Sequence, residues 1–242
     1  MRGRVAILVA LLLAGCASPE EAARPLPQPS AWKAVLIAGD DAEPAFDNAV
    51  DAMAAKLEGY GLRRRDIVTL KASGSGALKA TTANLQDAFA QLAPAPSDGC
   101  FVFITSHGVP RRGLFMKAID GALGPRELDR LLDRSCAERP TVVIASGCFS
   151  GIFASGWSMP EPNRTILTAA RSDRASFGCS AERRFTIFDE CVLENLEAHQ
   201  PWRAVMDRVR ACVSRNEGEN EVSPPSDPQI HVGRAVEGLT AF

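Results

Sequence analysis

Residues 140–151 read PTVVIASGCFSG. A β-branched and apolar run, Thr141 to Ala145, stops at Ser146-Gly147, and Cys148 follows at once with more small residues behind it. A short continuous apolar run bounded by turn residues reads as a strand buried on both faces. The stretch FVFITSHG, residues 101–108, ends in the same way, on His107 and a glycine. In an open parallel sheet, ligands bind beyond the carboxyl ends of the strands. Both reactive side chains therefore face the functional edge.

The rest of the chain supplies the sheet and its cover. Lys33–Ala38 reads as a strand, and residues 45–58 carry Phe46, Val50, Met53, Ala54 and Leu57 at helical spacing before Gly59 and Gly61. Asp66–Leu70 is a second strand, residues 73–76 a loop, and residues 82–93 a helix with Leu85, Phe89 and Leu92 on one face. Strand 100–105, helix 125–134, strands 141–145 and 165–169, helices near 185–198 and 201–214, and a last strand near 229–232 follow. Alternation of this kind predicts an α/β fold, with a mostly parallel sheet covered by helices on both faces. Residues 216–228, NEGENEVSPPSDP, read as a polar, mobile loop. No internal repeat is visible.

The chain has 242 residues, 46% of them hydrophobic and 23% charged, with a net charge of −2. That length suits one α/β domain or two small ones. The charge leaves no basic footprint, which argues against a nucleic-acid partner.

The N-terminus sets an address. MRGRVAILVALLLAGC has a charged start, an apolar stretch from Val5 to Leu13, and small residues before Cys16. This is the pattern of a cleaved export signal over residues 1–15, too short to span a bilayer as a mature helix. Leu13-Ala14-Gly15-Cys16 resembles the bacterial lipobox, which implies acylation of Cys16, a membrane partner through the lipid, and, with Ala17 next, sorting to the outer membrane facing the periplasm. Residues 17–30 hold four prolines and no apolar period, the composition of an extended tether of up to roughly 3.1 Å per residue. The folded domain is expected over residues 31–242.

His107 and Cys148 are 41 residues apart, room for one helical excursion, so their strands can be neighbours. A nearby imidazolium lowers a thiol's pKa, the thiolate attacks an acyl carbon, and histidine protonates the leaving amine. Taken singly, each residue could be structural: a strand-end histidine bonded to backbone, or a buried cysteine acting as a small hydrophobe. The joint pattern favours catalysis.

FVFITSHG and TVVIASGCFSG resemble the two catalytic segments of the legumain-like cysteine peptidases, a caspase-related clan in which a His-Gly motif precedes the Cys motif. NRTILTAARSDRASFGC, RRFTIFDECVLENL and DPQIHVG extend the similarity over most of residues 33–233, with bacterial lipoprotein members as the expected relatives. The resemblance implies a caspase-like three-layer α/β/α sandwich and a cofactor-free endopeptidase acting on peptide or protein substrates. It makes His107 the general acid/base, Cys148 the nucleophile, and the amides of Gly108 and Cys148 the oxyanion donors. It also marks a substrate pocket at Asp47, Ser146, Ser176 and Asp189. Ser176 and Asp189 match the family's pocket serine and aspartate. Asp47 stands where the family has an arginine and Ser146 where it has an acid. Ser106 replaces an aspartate before the histidine, and Ala45 replaces a helper asparagine. With two carboxylates and no resident cation, cleavage after basic residues is expected. The competing reading puts Asp47 on an exposed first turn, where acids suit the helix dipole.

His199 reads as a surface residue and His231 as a structural one in the last strand. Three scattered histidines and no CxxC pair give no metal-ligand spacing. Setting Cys16 and Cys148 aside leaves Cys100, Cys136, Cys179, Cys191 and Cys212, an odd number, so at least one stays free in an oxidising compartment. A catalytically silent binding lipoprotein and a transamidase remain alternatives, since an amine can resolve the same acyl-enzyme. Oligomeric state is not legible.

Overall fold

Alternation along three central strands places the core. In Ala31–Ala38 (β1), Ala34, Leu36 and Ala38 face one layer while Val35 and Ile37 face the other. The computed structural model describes residues 24–92, 95–180 and 182–242. After β1 come helix α1 (Pro44–Gly59), β2 (Ile67–Lys71), the two-residue β3 (Leu78–Lys79), α2 (Thr82–Gln91) and β4 (Asp98–Thr105). Three short strands follow, β5 (Gly108–Val109), β6 (Gly113–Met116) and β7 (Gly121–Leu123), then α3 (Pro125–Ser135) and β8 (Thr141–Ser146). The chain ends with α4 (Ile152–Ser155), β9 (Arg164–Thr168), α5 (Ile187–Asn195), α6 (Trp202–Glu219) and β10 (Gln229–Val232).

Seven strands form one sheet in the order β10-β9-β8-β4-β1-β2-β3, parallel except for β10 against β9. One face packs on α1, α5 and α6 through Phe46, Met53, Phe188 and Val209. The other packs on α2, α3 and α4 through Phe89, Leu128 and Phe153. This is the α/β/α sandwich that the alternation predicts. The second sheet, β5-β6-β7, is antiparallel and projects beyond the carboxyl edge right after His107. Its strands of two to four residues are too short to show a period in the sequence.

Two stretches differ from expectation. Helix α6 runs on to Glu219, and buried Glu217 accepts the Ser226 N–H at 3.2 Å on each carboxylate oxygen, while the Ser226 carbonyl accepts from Arg171 at 2.9 Å. Residues 216–228 are thus tied to the body, because their polar groups find partners within it. Similarly, Leu26 donates to the Ala235 carbonyl at 2.7 Å and Gln28 bonds Thr240, so the last residues of the expected tether are stitched to the chain's C-terminal end. Residues 1–15 and Cys16 lie outside the described residues.

Disulfides Cys100–Cys136 and Cys191–Cys212 tie β4 to the end of α3 and α5 to α6. Cys148 and Cys179 are free thiols. Among the described residues no helix is long and apolar enough to cross a membrane.

Candidate active site

The register of the sheet assembles the site. Ala38 of β1 pairs with Thr105 of β4, and Thr105 pairs with Ser146 of β8. The ladder runs one step further: Gly39 donates to Thr105 at 3.0 Å and Ser106 to Ser146 at 3.1 Å. Two residues past each strand end stand Asp40, His107 and Cys148, side by side along one edge. Neighbouring strands lie about 4.8 Å apart, so groups in equivalent positions are within reach of one another.

Cys148 sits on a corner held by backbone. Its Sγ accepts from the Ser176 N–H at 3.3 Å and its thiol faces the Ser176 carbonyl at 3.4 Å, while the Phe149 N–H donates to Arg174 at 2.7 Å. The Cys148 N–H donates to no protein acceptor among the described residues, which leaves it available to a developing oxyanion. Gly108 packs directly against this corner: a Cβ there would lie 1.7 Å from the Cys148 carbonyl oxygen. Only glycine allows the histidine loop to approach Cys148 so closely.

His107 is partly exposed, with its ring edge-to-face on Phe46 of α1 at 5.1 Å between centroids. Its carbonyl accepts from Phe115 of β6 at 2.8 Å, and the Ser106 hydroxyl donates to the Phe115 carbonyl at 2.6 Å. The hairpin sheet therefore braces the histidine from behind. Asp40 lies 3.9 Å from His107, Oδ2 to Nε2, and its other oxygen accepts from the N–H groups of Asp41 at 2.8 Å and Ala42 at 3.1 Å. These turn bonds fix the carboxylate while leaving Oδ2 for the imidazole. Sequence reasoning passed over Asp40, which only the register of β1 with β4 sets beside His107. IAGD, ITSH and ASGC are three strand ends of the same form.

The four expected pocket residues separate into layers. Ser176 touches Cys148 Sγ through its backbone. Ser146 and Asp189 are buried below the corner, where the Thr105 hydroxyl donates to Asp189 Oδ2 at 2.7 Å. Ser146 Oγ and Asp189 Oδ1 are buried with no hydrogen-bond partner. Burial raises the Asp189 pKa, and the nearby hydroxyls of Ser146, Thr105 and Thr186 oppose it in part. Asp47 is in the first turn of α1 and accepts from the Ser73 hydroxyl at 2.6 Å, with Oδ1 buried and unpartnered. Ala45 is fully buried, so its position offers the histidine nothing polar.

The bystanders fall where expected. His199 is exposed, and His231 Nε2 lies 3.3 Å from the Glu161 carbonyl. Burial, together with Cys148 and Glu43, pushes the Cys179 thiol up, which disfavours its thiolate.

Fold and corner together define a class, the caspase-like α/β sandwich. The crystal structure of caspase-1 from Spodoptera frugiperda is similar over 87% of each chain, with a TM-score of 0.61 and 13% identity. The Peptidase C13 family model matches residues 76–212, more than half of the chain and a span that includes both His107 and Cys148. The chain belongs to the Peptidase C13 family. No curated protein matches it.

Proposed function

We propose that this chain is a cysteine endopeptidase in which Cys148 attacks the scissile carbonyl and His107 moves the protons. The observation that carries the reading is the alignment of Asp40, His107 and Cys148 beyond three adjacent strands, with the Cys148 amide unengaged. His107 takes the thiol proton, and the thiolate adds to the carbonyl carbon. The oxyanion is received by the amides of Cys148 and Gly108. His107 then protonates the departing amine, leaving a thioester that water hydrolyses with His107 acting as base. Asp40 holds the imidazole as its positioning carboxylate.

A thiol-directed activity probe and a peptide-turnover assay test this together. Wild type is expected to label at Cys148 rather than at Cys179, and His107→Ala to lose the label. Cys148→Ala should abolish turnover with the fold retained. Near-wild-type turnover in either variant would remove the dyad assignment.

The proposed address is a lipid on Cys16, holding the domain at the outer membrane on its periplasmic side. Two disulfides support an oxidising compartment. Residues 26–30 join the body at the N-terminal edge of the sheet, where Ser30 donates to Ser97 at 2.9 Å, opposite the edge that carries His107 and Cys148. Fatty-acid labelling that persists after Cys16→Ser would exclude that residue.

A further inference from the structure

On the α3/α4 face of the sheet, between α3, the turn after β5 and the segment from Ile152 to Ser158, lies a cleft of about 700 Å³. Four arginines line it: Arg111 and Arg112 from the turn after β5, and Arg126 and Arg130 one helical turn apart on α3. Among the described residues, Glu127 is the only carboxylate in its lining. None of the four arginines is in an ion pair among the described residues. Two of the three acids of α3 are engaged elsewhere. Asp129 and Asp133 both clamp the buried Arg164 at 2.6 Å. The α3 N-terminus opens into the same cleft with no side-chain cap, adding its positive dipole end. Trp157 forms another part of the wall and is fully exposed. Arg111 adopts φ 62, a conformation that costs a non-glycine residue, in order to stand in this turn.

We propose that this cleft binds acidic residues of the substrate on the leaving-group side of the scissile bond, a reading that rests on the peptidase assignment above. The two faces of the sheet dictate the side. Asp47 and Asp189, which the family resemblance assigns to the acyl-side pocket, belong to α1 and α5 on one face. The arginine cleft belongs to α3 and the hairpin on the other, with the catalytic edge between them. A chain whose acyl side is held at the first passes the nucleophile and enters the second. Unpaired guanidinium groups favour carboxylates through bidentate bonds, and Trp157 offers a flat surface for the peptide chain. A membrane surface is disfavoured as the occupant. The α3 C-terminus is bonded through Cys136 to Cys100 near the start of β4, which sets the helix's N-terminal end at the edge opposite the entry of residues 26–30.

Two measurements on the full chain test the proposal. Trp32 and Trp202 are buried, so emission from Trp157 reports on the cleft. In Cys148→Ala protein, a hexapeptide rich in Asp and Glu should change that emission saturably, and its Asn/Gln counterpart should not. The change should weaken with salt and vanish in Arg112→Gln/Arg126→Gln/Arg130→Gln. With wild type, peptides identical on the acyl side should show kcat/KM about tenfold higher when the leaving side is acidic, the order expected of two or three exposed pairs. The triple variant should bring that ratio to one. Cleavage blind to leaving-side charge, with no emission change, overturns the cleft and leaves the peptidase reading standing. Acidic-peptide binding without cleavage of any peptide retires the peptidase reading and with it the leaving-side assignment, leaving only an acidic-peptide site. Emission that responds to phosphatidylglycerol vesicles but not to the acidic peptide also overturns the proposal.

Discussion

Asp40 and His107 occupy equivalent steps beyond paired strands β1 and β4, with Oδ2 of the one 3.9 Å from Nε2 of the other. With Nε2 facing the carboxylate, the proposed dyad would use Nδ1 toward the thiol, the division of labour of a nucleophile–base–orienter triad. The distance is longer than a hydrogen bond, and such contacts often tighten only when substrate binds. Asp40→Ala should lower kcat by about ten- to a hundredfold through loss of imidazole alignment, with little change in KM. Asp40→Asn keeps an acceptor for the Asp41 and Ala42 amides and should recover part of that loss. Equal damage to kcat and KM, with no recovery in the asparagine variant, would reduce Asp40 to a turn residue.

Gly108→Ala tests the close approach of the two catalytic loops. The added methyl would lie 1.7 Å from the Cys148 carbonyl oxygen, an overlap that only backbone movement relieves. Turnover should fall at least as far as in Asp40→Ala, since both the histidine and the proposed oxyanion donor shift. Because the strain is at the loop tips, the denaturation midpoint should move less than the activity. Full activity in this variant would mean that the two loops part easily, and would remove Gly108 as an oxyanion donor.

The strands around the site could be read from the sequence because they are buried on both faces and so hold continuous apolar runs. β10 matches its expected range of 229–232, and β4 and β8 extend theirs by one or two residues. The hairpin sheet and Asp40 could not be found in this way. Strands of two to four residues carry no period, and Asp40 acquires its role only through register with β4. The disulfides were equally hidden, because partner choice among five cysteines depends on three-dimensional proximity. Residues 216–228 looked mobile from composition alone. Their buried anchors, Glu217 and Ser226, are ordinary loop residues until the fold closes over them.

Cys100–Cys136 spans 36 residues and Cys191–Cys212 spans 21. Chain-entropy reasoning assigns loops of this size about 3–4 kcal/mol each. Replacing Cys100 and Cys136 together by serine should lower unfolding free energy by about that amount in denaturant melts. The same protein under reducing conditions should approach the melt of a variant lacking both bridges. If reduction leaves the midpoint unchanged, the bridges contribute nothing to stability.

Asp189 is fully buried, and burial raises its pKa despite the hydroxyls around it. A carboxyl whose folded pKa exceeds its unfolded value binds its proton more tightly in the native state. Its contribution to stability is fully present below the unfolded pKa and is lost as pH rises through the folded pKa. Asp189→Asn should therefore stabilise the protein near neutral pH relative to wild type, and the gain should shrink as pH falls toward the ordinary carboxylate range. A gain that is constant across pH would point to packing rather than ionisation.

The same carboxylate bears on substrate choice. Asp47 Oδ1 is a buried acceptor without a partner and Asp189 Oδ1 has only the Ser146 hydroxyl near it, while each carboxylate's other oxygen is held by a hydroxyl, Ser73 and Thr105 respectively. Buried acceptors are costly when unsatisfied, and an incoming guanidinium or ammonium would supply the missing donors and offset the charge. Arginine fits better than lysine because its planar fork can bond carboxylate oxygens in pairs. Fluorogenic peptides that differ only at the residue before the scissile bond should therefore rank arginine first, lysine next, and asparagine below both. Asp47→Ala and Asp189→Asn should each narrow that ranking, and the second should do so while raising stability, which separates loss of recognition from loss of fold. If asparagine is cleaved as fast as arginine, or if Asp47→Ala leaves the ranking untouched, Asp47 is only a first-turn acid bonded to Ser73 and the pocket takes its specificity from other groups.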